Sequence, residues 1–199
     1  MDDKFRFIGL PYDDNRDEPT PADRQRLTEF LAGQGFRTAP ADFGPSLEVW
    51  LPDPSEFVAS VRIDDSWMVQ IAVDEGRLDE DYDENRGNTD VLAKLIGITA
   101  QFANTYLGFV PADDDDLSFM EEDPPVQLEA PLAAAYLGRR YLSDWPDEPE
   151  WAADPKARWE LTAGVLMVPA SSPLEITRNQ CPQVARAAAG NVCPVDDGP

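Results

Sequence analysis

An α+β fold is what this chain predicts: an antiparallel sheet made of an N-terminal strand and a three-strand meander, two helices packed on one face, and an acidic, irregular second half. Three observations carry that reading. Apolar residues occupy the odd positions from Phe57 to Ile63 and again from Trp67 to Val73, and two other segments repeat apolar residues at spacings of three and four. The elements follow the order strand, helix, three strands, helix, which favours helices laid on one side of an antiparallel layer.

The elements can be justified in turn. Phe5, Phe7 and Ile8 open a short strand that Gly9-Leu10-Pro11 stops, and an acidic loop runs from Asp13 to Glu18. Thr20-Pro21 reads as an N-cap followed by proline at the first helical position, and Asp23 suits the positive end of the helix dipole. Leu27, Phe30 and Leu31 form the apolar stripe, and Gly33 and Gly35 end the helix. Leu47, Val49 and Leu51 then alternate with Glu48 and Trp50 until Pro52-Asp53-Pro54 breaks the strand. Phe57, Ala59, Val61 and Ile63 face one way, Asp64-Asp65-Ser66 turns the chain, and Trp67, Val69, Ile71 and Val73 continue the series with Gln70 and Asp74 opposite. The pair predicts a hairpin with one buried face.

Asn88 or Thr89 caps the second helix, whose apolar face comprises Val91, Leu92, Leu95, Ile96, Thr99, Phe102, Ala103 and Tyr106, with Gly108 as its stop near Pro111. From 111 to 150 acids crowd the sequence, with Arg139 and Arg140 as the bases. Short apolar pieces lie between them at 117–120, 126–128 and 132–142, the last expected to be helical. Residues 159–168 return to a strand pattern, and 174–177 offer another. The expected organisation is one α+β domain over residues 1–178, with a candidate sub-boundary near 111, and a weakly ordered tail over 179–199. No solenoid-type repeat occurs.

Charge narrows the function. Thirty-nine acids face sixteen bases with no histidine, a formal charge of −23 over 199 residues. Such a field disfavours direct contact with nucleic acid or an anionic membrane and suits a basic protein surface. An acidic proteome, halophilic or GC-rich, is the competing source of the charge, since lysine is confined to Lys4, Lys94 and Lys156 while alanine and proline are frequent. Apolar residues at 42% are enough for a core. No segment is long and apolar enough to span a bilayer, and Met1-Asp2-Asp3-Lys4 lacks the look of a secretory signal, so a cytoplasmic location is expected. Cys181 and Cys193, with eleven residues between them and no partner ligands, argue for free thiols over a zinc site, a disulfide within the tail being the lesser alternative.

General acid and base work starts most easily from histidine, and this chain has none. Histidine-based triads and histidine-ligated metals are excluded, and neither a phosphate-binding glycine loop nor a GxGxxG turn occurs. Gly33-Gln34-Gly35 ends a helix and does not open one. The expectation is therefore no catalytic residue and no cofactor. Asp79, Asp81, Asp83, Asn85, Gly87 and Asp90 approximate an EF-hand spacing, but Glu84 stands where glycine is needed and Asp90 replaces the bidentate glutamate, so no metal site is assigned beyond weak, adventitious calcium binding.

The residues expected to meet a partner are the loop acids Asp79, Glu80, Asp81, Asp83, Glu84, Asp113, Asp114, Asp115, Asp116, Glu121, Glu122 and Asp123, together with Trp145 and Trp151, because aromatic residues inside a charged rim are the usual anatomy of an interaction hot spot. Trp67 and Trp159, in strand contexts, read as core. Three functional readings follow. The first is a non-enzymatic acidic protein that covers a basic surface of its partner, as an immunity protein or inhibitor covers a nuclease-like toxin. The second is a DNA mimic with carboxylates in place of phosphates, which asks for ordered rows of charge. The third is a chaperone, adaptor or housekeeping domain from an acidic proteome. Over residues 20–107 the helix, three-strand meander, helix order resembles small secretion chaperones, a likeness of element order alone. Oligomeric state cannot be read from this sequence.

Overall fold

The structure is a computed structural model that describes residues 4–12, 16–41, 46–50, 58–74, 86–111, 128, 133–147 and 150–172. Its elements are β1 (Lys4–Pro11), α1 (Pro21–Gly33), β2 (Arg37–Pro40), β3 (Leu47–Trp50), β4 (Val58–Ile63), β5 (Val69–Asp74), α2 (Arg86–Ala103), β6 (Thr105–Val110), β7 (Ala134–Gly138), α3 (Arg139–Asp144), a 3-10 turn (Glu150–Ala152), β8 (Ala157–Leu161) and β9 (Gly164–Val168). The strands form one sheet in the order β2-β3-β4-β5-β1-β6-β7-β9-β8, and each neighbouring pair is antiparallel. An antiparallel sheet with helices is thus the architecture, mostly sheet by content.

The local signals explain the first half. Thr20 accepts from the Asp23 amide while the Asp23 carboxylate accepts from the Thr20 amide, a reciprocal capping box that starts α1. Gly35, at φ +92, takes the left-handed turn after the helix. In the β4–β5 hairpin the odd residues Ala59, Val61, Ile63, Val69, Ile71 and Val73 are buried, while Ser60 and Arg62 are exposed.

β1 ends at Pro11, within the expected Gly9-Leu10-Pro11 stop, with a register shift between Leu10 and Pro11 where it pairs with β6. Three expectations are corrected. α2 begins at Arg86, ahead of Asn88, and ends at Ala103; Asn104 at φ 57 turns the chain straight into β6, so Tyr106 and Gly108 belong to a strand. Residues 134–138 form a strand, and helix is confined to 139–144. All five residues of β7 are buried, and a strand covered on both faces shows no period for sequence reading to detect. Residues 157–168 make a hairpin of two strands where one was expected. β2 is an added edge strand, four residues ending in proline.

Two apolar layers sandwich the sheet. One holds Phe7, Val61, Ile71, Tyr136, Trp159 and Leu166 together with Leu27 and Leu31 of α1 and Leu95 and Ile96 of α2. The other holds Ile8, Leu107, Phe109, Leu137, Val165 and Met167 beneath Tyr141 of α3, Leu128 and Ala152. β9 shows the division, since Val165 and Met167 go to the second layer and Leu166 and Val168 to the first.

Candidate protein-binding ledge

Trp145 is the described member of the expected partner-binding set whose side chain can be placed. It follows α3, where its backbone N–H donates to the Tyr141 carbonyl at 2.8 Å. Its indole N–H donates to the Tyr106 hydroxyl at 3.0 Å, so one hydrogen bond fixes the backbone and another orients the ring. The side chain is half-buried against the second apolar layer.

Around it the fold assembles residues far apart in sequence. Pairing of β1 with β6 brings Tyr12 beside Tyr106, centroids 5.2 Å apart, and α3 lays Tyr141 on the other side at 5.4 Å. The Tyr141 hydroxyl accepts from the Leu128 amide at 2.9 Å. Arg140 lies 4.8 Å above the Tyr12 ring, donates to the Tyr12 hydroxyl at 3.2 Å, and pairs with Asp144 at 3.1 Å. Asp147 and Glu150, two and five residues after Trp145 in the chain, are exposed and have no ion-pair partner among the described residues. The result is an oriented indole on an aromatic base, followed in sequence by two exposed carboxylates.

Burial pushes the phenols of Tyr106, Tyr141 and Tyr136 up, and the Asp144 hydrogen bond raises Arg140. Hydrogen bonding to Thr20 pulls the Asp23 carboxyl down to about 2. These displacements all lead away from neutrality, opposite to what proton transfer near pH 7 asks of a side chain. Among the described residues no group of three Asp, Glu, Cys or His could hold a metal ion. Among them, too, no helix is long and apolar enough to cross a membrane.

Asp79, Glu80, Asp81, Asp83, Glu84, Asp113, Asp114, Asp115, Asp116, Glu121, Glu122 and Asp123 lie outside the described residues, as do Cys181, Cys193, the 174–177 strand and most of the cation candidate. Trp151 falls in the 3-10 turn. Trp67 and Trp159 are buried, at 6% and 2% exposure, as their packing role requires. Sequence reading missed Tyr12, Tyr106, Tyr141 and Arg140; the one local signal was the i, i+4 pair Arg140–Asp144 beside the tryptophan. Of the described carboxylates, Asp23 sits in a cap, Asp64 in a turn, and Glu48 and Glu160 toward opposite edges of the sheet.

No protein-family profile matches this chain, and no curated protein sequence matches it. Among solved structures it is similar to "Pseudomonas aeruginosa T6SS protein PA0821", at 12% sequence identity over 83% of this chain and 68% of that one, with a TM-score of 0.42.

Proposed function

We propose that this chain is a non-enzymatic binding protein that covers a basic surface of a partner protein, in the manner of an immunity protein or inhibitor acting on a nuclease-like toxin. The observation that carries the reading is the Trp145 ledge: a half-buried indole oriented by its hydrogen bond to Tyr106, with exposed Asp147 and Glu150 two and five residues further along the chain. A rigid aromatic anchor loses little entropy on docking, and its carboxylate surroundings select a cationic counterpart. The charge of −23 adds long-range attraction for such a partner and repels nucleic acid.

Basic proteins encoded beside this gene are the partner candidates, and association kinetics with each, at about 50 mM and about 300 mM salt, test the idea. The expected result is a specific complex whose association rate falls steeply with salt. Asp147→Lys with Glu150→Lys slows association, whereas Trp145→Ala accelerates dissociation at unchanged association rate. A complex indifferent to salt and to all three substitutions, or no complex with any basic neighbour, overturns it.

A further inference from the structure

We propose that the open face of the sheet between Arg6, Arg37 and Arg62 is a second docking surface, which takes a carboxylate-rich segment of a polypeptide. The proposal stands on residues separate from the Trp145 ledge.

The surface follows from strand alternation. In β4 and β5 the odd residues turn inward to α1 and α2, so Ser60, Arg62, Gln70 and Ala72 turn outward. Arg6 is exposed beside the wholly buried Phe7, and Trp50, half-buried, stands opposite the buried Val49. Register then orders the face into rows. Arg37 pairs with Trp50; Ala39, Glu48, Ser60, Ala72 and Arg6 run across five strands; Arg62 pairs with Gln70, and Gln70 with Ile8. Arg6 and Arg62 lie two strand spacings apart and two residues out of row, about 12 Å, with the small side chains of Ser60 and Ala72 on the floor beside them.

Charge identifies the occupant. Across the chain acids outnumber bases 39 to 16, yet in these rows three arginines stand with one carboxylate, Glu48, and the next row pairs Lys4 with Asp74, one base to one acid. Five other arginines are engaged: Arg16 with the Ala103 carbonyl, Arg24 with Asp65, Arg26 with Asp23, Arg140 with Asp144, Arg158 with Glu160. Arg6 and Arg62 have no hydrogen-bond or ion-pair partner among the described residues, and Arg37 has only the Trp50 ring, 4.7 Å away. Unpaired guanidinium groups in a chain with a surplus of carboxylates are free to bind carboxylates from outside, bidentately. A peptide segment brings a few such groups spaced along a strand or helix. A nucleic acid needs a platform on which successive bases stack, and the one tryptophan here is already stacked on by Arg37.

The probe is a fluorescein-labelled glutamate–tyrosine copolymer titrated into the full chain and followed by anisotropy, with a single-stranded oligonucleotide of equal length alongside. Saturable copolymer binding is expected, weakened at least about tenfold in Arg6→Glu/Arg62→Glu and in Arg6→Ala/Arg62→Ala, and weakened by Trp50→Ala. Arg24→Glu/Arg139→Glu, with the same change in net charge as the first pair, should stay within about twofold of wild type. The alanine pair keeps the test open should the glutamate pair unfold. Failure of the wild type to bind, equal loss in the control pair, or tighter binding of the oligonucleotide each overturns the proposal.

Discussion

The ring of Phe7 lies directly over Gly108. A Cβ placed on Gly108 would sit 2.3 Å from the Phe7 Cζ and 3.2 Å from the Tyr136 Cβ, and Phe7 meets Tyr136 edge-on with centroids 6.5 Å apart. Gly108 is therefore the gap through which an aromatic side chain of β1 reaches one of β7 across β6, and the residue is there for packing and not to end a helix.

Gly108→Ala is expected to destabilise the fold by about 1–3 kcal/mol, the usual cost of overpacking, because Phe7 has no exposed direction in which to move. Urea unfolding reads the effect. Combining it with Phe7→Leu should recover part of the loss, since the two residues compete for one volume; simple additivity of the two changes would refute the packing account.

Arg16 joins three elements. Its Nη1 donates to the Ala103 carbonyl at the end of α2 at 2.7 Å, its guanidinium lies 3.8 Å above the Trp67 ring, and the Trp67 indole N–H donates to the Asp17 carbonyl at 2.7 Å. A cation at a helix C-terminus and over an indole gains from both. Arg16→Ala should cost about 1–2 kcal/mol, and Arg16→Lys should recover only a fraction, because an ammonium cannot both stack flat and donate sideways. Full rescue by lysine would contradict the geometry.

The α1 cap predicts a pH dependence. Hydrogen bonding to Thr20 lowers Asp23 from 3.8 to about 2 in the folded protein, so the folded state holds the charged form more firmly than the unfolded chain does. The stabilisation is complete above the unfolded value and fades as pH falls from 3.8 towards 2. The stability gap between wild type and Asp23→Asn should accordingly be widest at neutral pH and close through that window, as followed by circular dichroism melts. Thr20→Ala, which removes the cap oxygen, should cost about 1 kcal/mol at neutral pH. A gap that widens on acidification would reverse the sign and refute the assignment.

Legibility in the sequence tracked how one-sided each element is. Thr20, Pro21 and Asp23 announced α1 because caps are local chemistry, and the 57–73 hairpin showed itself because Ser60 and Arg62 are exposed between buried neighbours. Ala134–Gly138 and Thr105–Val110 gave no such contrast, since every residue in both strands is buried. The apolar period of α2 ran on past Asn104 into Tyr106, and only the left-handed Asn104 marks the break. Trp145 stood out as an aromatic among acids, but its tyrosine neighbours arrive through the β1–β6 register, which no local spacing encodes. The arginine floor was equally hidden, for it appears only once β1, β2 and β4 share a sheet.

Tyr136 has a cost built into the core. Its side chain is wholly buried in the layer beneath α2, yet its hydroxyl has no hydrogen-bond partner among the described residues, and burial drives its pKa well above the ordinary tyrosine value. A buried, unpartnered hydroxyl loses its water without recovering the bond, so deleting it removes a penalty while the ring keeps its contact with Phe7. Tyr136→Phe should therefore leave stability unchanged or raise it by up to about 1 kcal/mol, whereas Tyr106→Phe, which deprives the Trp145 indole of its acceptor, should lower it by about 1 kcal/mol. The two substitutions delete the same atom from tyrosines that are both buried, so their opposite signs isolate the hydrogen bond from the loss of the oxygen itself. A Tyr136→Phe variant destabilised as much as Tyr106→Phe in urea unfolding would mean that the Tyr136 hydroxyl is satisfied in solution.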